Sequence, residues 1–216
     1  TDNPLATFPT PLHRSAMQRL EARVHAQVDH RVVTSRHTAE QMQVSFPKHQ
    51  PPLTIFNGFE VEGFVALPAP DFDGKLHLSY AGAFYPGYRP EGGFGALARL
   101  LERSPDFAQK IHLDFYGKTN VQDELQKFGL QPYATEHGYL PQREVLAAMA
   151  QSHINWLELP MTESARGWIP QKLFIYLKLN RPILSVLPPG DAHRILTDAA
   201  GTQLAVTEDT ASLTRW

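Results

Sequence analysis

Pro170 and Lys172 carry the clearest chemical signal in this chain. They lie in the run Ile169-Pro170-Gln171-Lys172-Leu173-Phe174-Ile175-Tyr176-Leu177. The run predicts a helix that opens at Pro170, because a proline at the first helical position gives up only an N–H that has no partner there. Lys172 then falls in the first turn. A cation there opposes the helix dipole unless an anion sits at that end, and a helix N-terminus with a lysine can hold a phosphate. The alternative is a solvated lysine on an ordinary amphipathic helix. Other chemistries find less support. His112 and Asp114 would share a strand face, but Ile111-His112-Leu113-Asp114-Phe115-Tyr116 reads as a packed strand, so no metal site is expected there. The ten histidines show no H-E-x-x-H spacing, and zero cysteines exclude disulfides and thiolate sites.

The elements around that helix form a regular alternation. From residue 75 the chain reads as strand 76–81, a glycine- and proline-rich loop 82–93, helix 94–103, strand 111–116, helix 121–128 closed by Gly129, a weak strand 134–139 and helix 141–150. Strand 153–157, the helix from Pro170, strand 182–186, helix 192–198 and strand 204–206 follow. Strands alternating with short helices imply right-handed crossovers and a parallel sheet, an α/β Rossmann-like layer with helices on both faces. Such sheets take ligands beyond the carboxyl ends of their strands, so the loops after the strands are the ones to watch. Before residue 59 the pattern differs. Leu12, Ala16, Leu20, Val24 and Val28 make an apolar stripe on a helix over 11–29. A short strand at 31–34, a helix capped by Ser35, and a strand at 53–56 stopped by Asn57-Gly58 come next. Residues 59–74, with two glycines and two prolines, read as a linker.

Composition sets the outer limits. A chain of 216 residues, 42% hydrophobic, can bury a substantial core. A net charge of −2 gives no electrostatic pull toward nucleic acid. No apolar run approaches the roughly 20 residues of a membrane-spanning helix.

Order and residues together resemble the retaining GT-B glycosyltransferases that use nucleotide-sugars, over roughly residues 12–209. Arg31-Val32-Val33-Thr34-Ser35 resembles the closing strand of that family's N-terminal domain. Leu53-Thr54-Ile55-Phe56-Asn57-Gly58-Phe59 is similar to its interdomain I-x-N-G turn. Ser79-Tyr80-Ala81-Gly82 and Phe115-Tyr116-Gly117 match the first donor-domain strands. His137-Gly138-Tyr139-Leu140-Pro141 resembles an F-x-G-x-V-P segment. Pro170-x-Lys172-Leu173-Phe174-x-Tyr176-Leu177 with Arg181-Pro182-Ile183-Leu184 matches P-x-K-L-F-E-Y-L-A-x-x-R-P-I-L.

The resemblance implies a donor-binding domain at 75–216, a linker at 59–74, and at 1–58 a remnant of the N-terminal acceptor-side domain. It implies transfer of a sugar from a nucleoside diphosphate sugar to a glycan or lipid-linked acceptor, with no cofactor and no bound metal. The expected setting is polysaccharide synthesis in the cytoplasm, with peripheral association at the inner face of the membrane. Substrate-binding candidates are Gly82, Arg89, Lys118, Glu163, Arg166, Gly167 and Lys172. Gly82 would let the backbone approach a ligand, Lys118 and Lys172 would reach phosphate, and Arg89 would replace the family arginine whose place Ala83 takes. Glu163, Arg166 and Gly167 would lie near the donor sugar or diphosphate. Trp168 is a candidate for stacking, whereas Trp156 and Tyr176 are expected in the core.

Two departures matter. Ile175 stands where the family has the glutamate that holds the ribose, and Gly167 stands where it has another. Loss of both supports a second reading, a non-catalytic binding or scaffolding module of the same fold. An unrelated doubly wound dehydrogenase is disfavoured, since no G-x-G-x-x-G follows a strand. The stripe Leu12, Leu20, Val24 and Val28 is expected to be buried against the remnant, which in turn would leave an apolar surface for self-association or a partner chain.

Overall fold

The computed structural model describes residues 9–59, 64, 73–84, 88 and 90–199, and the backbone of 203–207. Six parallel strands form the main sheet: β3 (Leu76–Ala81), β4 (Ile111–Tyr116), β5 (Ala134–Gly138), β6 (Ile154–Glu158), β7 (Ile183–Val186) and β8 (Gln203–Thr207). Their order is β5-β4-β3-β6-β7-β8. The chain therefore builds outward from β3 in one direction, then returns to lay β6 against β3 and builds outward the other way. The reversal leaves a crevice beyond the ends of β3 and β6, where open α/β sheets bind ligands.

Each face of the sheet is sealed by its own helices. α3 (Glu91–Arg103), α4 (Pro105–Ala108) and α5 (Gln122–Lys127) bring Phe94, Leu97, Leu101, Ala108 and Leu125 onto Leu78, Tyr80, Leu113, Phe115 and Trp156. On the other face α6 (Gln142–Gln151), α7 (Gln171–Leu179) and α8 (Asp191–Asp198) bring Met149, Leu173, Tyr176, Ala192 and Leu196 onto Tyr116, Leu157 and Ile183. Trp156 and Tyr176 are 2% and 1% exposed, as expected of core residues. α4, one turn opened by Pro105, is absent from the apolar periodicity because four residues cannot display it.

That second face turns polar toward β4 and β5. The Asp114 carboxylate, 5% exposed, contacts His77 Nδ1 and His137 Nε2 at 2.7 Å each, with His112 Nε2 at 3.7 Å. Burial opposes the charge on His77, but the hydrogen bond and charge of Asp114, helped by Asp73, raise its pKa overall. A folded pKa above the unfolded one gives stability that is complete below the unfolded value and is lost as pH rises through the folded one. The stability advantage of wild type over His77→Gln should therefore be largest in mild acid and shrink through neutrality. Urea unfolding at several pH values checks this, and an advantage that grows with pH would contradict it.

The N-terminal elements are α1 (Pro11–Gln27), β1 (Val32–Val33), α2 (Arg36–Ser45) and β2 (Leu53–Thr54), with β1 and β2 paired in parallel. Thr10 and Ser35 cap the two helices through their side-chain oxygens. The expected burial of the α1 stripe does not occur. Leu12 is 80% exposed and Leu20, Val24 and Val28 are 51%, 49% and 43%. The reason is geometric: among the described residues, the two-stranded sheet and α2 offer no second layer to lay over α1, and parallel strands need both faces covered. The chain is accordingly expected to self-associate as its concentration rises. Light scattering on wild type and on a Leu20→Lys/Val24→Lys variant tests this. Association lost in the variant supports it, and a wild-type monomer at all concentrations contradicts it.

Candidate functional site

Three glycines shape the rim above the strand ends. Gly82, Gly117 and Gly138 follow or close β3, β4 and β5 with φ of +129°, +106° and +69°, a region that favours glycine. The Gly82 N–H donates to the Tyr116 carbonyl at 2.8 Å, and the Gly117 N–H donates to the Gly138 carbonyl at 2.7 Å. Gly117 lies so close to Gly82 that a Cβ on it would overlap the Gly82 carbonyl oxygen. The rim thus presents backbone rather than side chains.

Lys172 reaches this rim from the opposite side. Pro170 has φ −63° and ψ 139°, so it is the cap of α7 and Gln171 is the first helical residue. This corrects the expected start by one position, because a proline can serve on either side of a helix boundary. Lys172 remains in the first turn. Its Nζ sits 3.7 Å from the centre of the Tyr80 ring, and a Cβ on Gly82 would be 3.2 Å from it.

Two cavities meet at Lys172 and the Ala81-Gly82-Ala83 segment. The larger, about 450 Å³, is walled mainly by Tyr116, Tyr139, Leu140, Leu146, Met149 and Ile175, with Gly117 and Lys118 at its edge. Its size suits a nucleoside, and Tyr139, 79% exposed, offers a face for a base. The smaller, about 300 Å³, lies between the end of β3 and the end of β6. Tyr80, Phe84, Tyr88, Glu158 and Pro170 line it with Lys172.

The smaller cavity holds a residue the sequence reading missed. Glu158, at the end of β6, is 5% exposed. Tyr88 donates its hydroxyl to Oε1 at 2.8 Å, and the carboxyl is buried against the Gly93 backbone and the Trp156 indole. Burial lifts the Glu158 pKa to about 7, opposed by hydrogen bonds from the Tyr88 hydroxyl, the Gly93 N–H and the Trp156 indole N–H and, least, by the Lys172 charge. Burial likewise pulls the Lys172 pKa down to about 7, opposed by the Glu158 charge. The available signal was an acid inside the apolar run Ile154-Asn155-Trp156-Leu157-Glu158-Leu159, since acids are almost never fully buried unless paired.

The structure brings Gly82, Lys118 and Lys172 together at the larger cavity. Arg89 lies outside the described residues. Glu163, Arg166 and Gly167 form a 3₁₀ turn that lines neither cavity. Glu163 pairs with Arg166 at 3.0 Å, and Arg166 Nε donates to the Pro189 carbonyl at 2.8 Å. Gly167 packs on α2, where a Cβ would be 3.1 Å from Ser35 Oγ and Thr38 Oγ1. Trp168, partly buried, packs against the core cluster under α6–α8. Ile175 faces the larger cavity, where it supplies no hydrogen-bonding group. No group of three or more metal-ligating side chains is placed to hold a metal among the described residues.

No sequence-family profile matches the chain, and no curated protein matches its sequence. Solved structures do match its fold. WaaG, a glycosyltransferase involved in lipopolysaccharide biosynthesis, superposes over 95% of this chain with a TM-score of 0.71 at 15% identity. HepE from Anabaena, solved with UDP-glucose, covers 95% with a TM-score of 0.68 at 12% identity. TarM from S. aureus covers 92% with a TM-score of 0.66 at 10% identity. The fold is that of the GT-B glycosyltransferases, with the Rossmann-like parallel sheet of that architecture. The chain spans 57% of WaaG, 58% of HepE and 38% of TarM.

Proposed function

We propose that this chain is the donor-binding part of a glycosyltransferase and holds a nucleoside diphosphate sugar at the crevice beyond β3 and β6. The observation that carries this reading is the meeting of Lys172, in the first turn of α7, with the side-chain-free rim of Gly82 at the mouth of an apolar cavity. The base and ribose occupy the larger cavity, with the base against Tyr139. The diphosphate bridges to Lys172 and the α7 N-terminus, with Lys118 at the edge. In glycosyl transfer, negative charge develops on the departing diphosphate as the bond to the sugar breaks. A fixed cation and a helix dipole aimed at that oxygen stabilise the charge without reorganising. The acceptor, a glycan or lipid-linked saccharide, is placed by structure outside the donor-binding elements, and residues 1–58 belong to that acceptor side. Polysaccharide synthesis at the inner face of a membrane is the setting that this chemistry fits.

Ile175 in the larger cavity favours a second reading, in which the site binds a nucleotide-sugar without transferring it. A ribose opposite an isoleucine gains no hydrogen bond from that position. Calorimetric titration with a panel of UDP-, GDP- and ADP-sugars tests binding, and sugar transfer to added saccharide acceptors separates the two readings. Binding with transfer supports the enzyme. Binding without transfer supports the binding module, and no binding across the panel contradicts both.

A further inference from the structure

The two cavities adjoin. Ala81, Gly82, Ala83 and Lys172 border both. A nucleotide-sugar has three parts in line: a nucleoside, a diphosphate and a sugar. With the nucleoside in the larger cavity and the diphosphate at Lys172, the sugar reaches the smaller cavity between the ends of β3 and β6. Its volume of about 300 Å³ admits a single sugar ring, and Phe84 and Tyr88 give it aromatic walls.

Once the diphosphate is in place, the charge of this cavity is one-sided. Among the described residues that line it, Glu158 is the one acid and Lys172 the one base. Lys172 is taken by the diphosphate. Glu158 stays where it is, because Tyr88 donates to Oε1 at 2.8 Å and the Gly93 backbone lies so close that a Cβ there would overlap Oε2. The remaining wall includes Leu159, Pro160 and Pro170, which carry no charge. A sugar carboxylate in this space meets a like charge in an enclosure of low dielectric and finds no cation of its own. An uncharged sugar meets neither cost, and its hydroxyls can donate to an acid.

We propose that the donor carries an uncharged sugar and that Glu158 is the specificity-determining residue, which excludes sugars bearing a carboxylate, the uronic acids. This rests on the nucleotide-sugar reading above and narrows it to a class of sugar. Such selection acts against the wrong donor, by leaving a buried charge unpaired, more than in favour of the right one.

Calorimetry on the whole chain at pH 8 tests this with UDP, UDP-glucose, UDP-glucuronic acid and the amide of UDP-glucuronic acid. Burial lifts the Glu158 pKa to about 7, so at pH 8 the carboxyl is mostly ionised. The three sugar donors differ only at C6, so the nucleotide, the diphosphate and Lys172 cancel in the ratios of their affinities. The acid should bind about tenfold or more weakly than UDP-glucose. The amide has the shape of the acid without its charge and should bind within about threefold of UDP-glucose. In Glu158→Gln, which keeps an acceptor for Tyr88, the gap between acid and amide should close through tighter binding of the acid. Equal binding of the acid and UDP-glucose overturns the proposal. So does an amide rejected as strongly as the acid, because shape and not charge would then decide; this comparison needs only the wild-type chain. A gap that persists in folded Glu158→Gln takes the choice away from Glu158. UDP that binds with no discrimination among the donors overturns the proposal alone, whereas no binding of UDP or of any donor overturns the UDP-sugar reading on which it stands.

Discussion

Gly117→Ala is expected to destabilise the six-stranded layer strongly. Gly117 has φ +106°, and an added Cβ would overlap the Gly82 carbonyl oxygen, a backbone atom that no rotamer change can move. A strained backbone of this kind costs roughly 1–3 kcal/mol. Forcing the β3 and β4 ends apart adds overpacking of about 1–3 kcal/mol. Domains have only about 5–15 kcal/mol of total stability, so the loss should be plain in a urea melt. Gly129→Ala supplies the control. Its φ is +66° with nothing within 4 Å of the new Cβ, so it carries backbone strain alone. The larger loss in Gly117→Ala measures the close approach of the two strand ends. Equal losses in the two variants would show that the ends can part freely.

Lys172→Met is expected to have the largest effect on ligand affinity while leaving the fold intact. Methionine keeps most of the apolar stem and removes the ammonium that lies 3.7 Å from the centre of the Tyr80 ring. A hydrogen bond to a charged group contributes roughly 1.5–3 kcal/mol, which corresponds to about a tenfold or greater rise in the dissociation constant for a nucleotide-sugar. A modest loss of stability is expected as well, because the contact of the ammonium with the Tyr80 ring is lost with it. Calorimetry with melting curves on both proteins decides this. Unchanged affinity in a folded variant would remove Lys172 from the site.

Much of the fold was legible because the six-stranded layer repeats a strand–helix rhythm with clean punctuation. β3 and β4 fall on the expected residues, and α5 ends at Lys127 with Phe128 as its cap, so that the helix-closing Gly129, at φ +66°, comes next. The errors have physical causes. α1 has a helical stripe, but periodicity shows which face is apolar and not whether anything covers it, and that face is exposed. Pro170 announced α7 correctly yet sits one residue outside it.

The placement of Gly82 and Lys172 beside the cavities was legible, because it depends on backbone and helix position. It was not legible where it depends on a partner distant in sequence. Glu158 matters because of Tyr88, Gly93 and Lys172, and only the β3–β6 adjacency brings these together. Glu163 and Arg166 looked suitable by type and by loop, but their charges are used on each other and on Pro189.

Backbone-amide NMR during titration with UDP-glucose tests the central claim most directly, because it locates the ligand without presupposing activity. Shifts should concentrate at Ala81–Ala83, at Gly117–Lys118, around Tyr139 and Leu140, and in the first turn of α7 at Lys172, the residues that border the larger cavity. Lys172→Met should weaken the same pattern without moving it. Shifts confined to the separate cavity at Arg31, Lys48 and His49, or no shifts at saturating concentrations, would contradict the assignment of a nucleotide-sugar to this crevice.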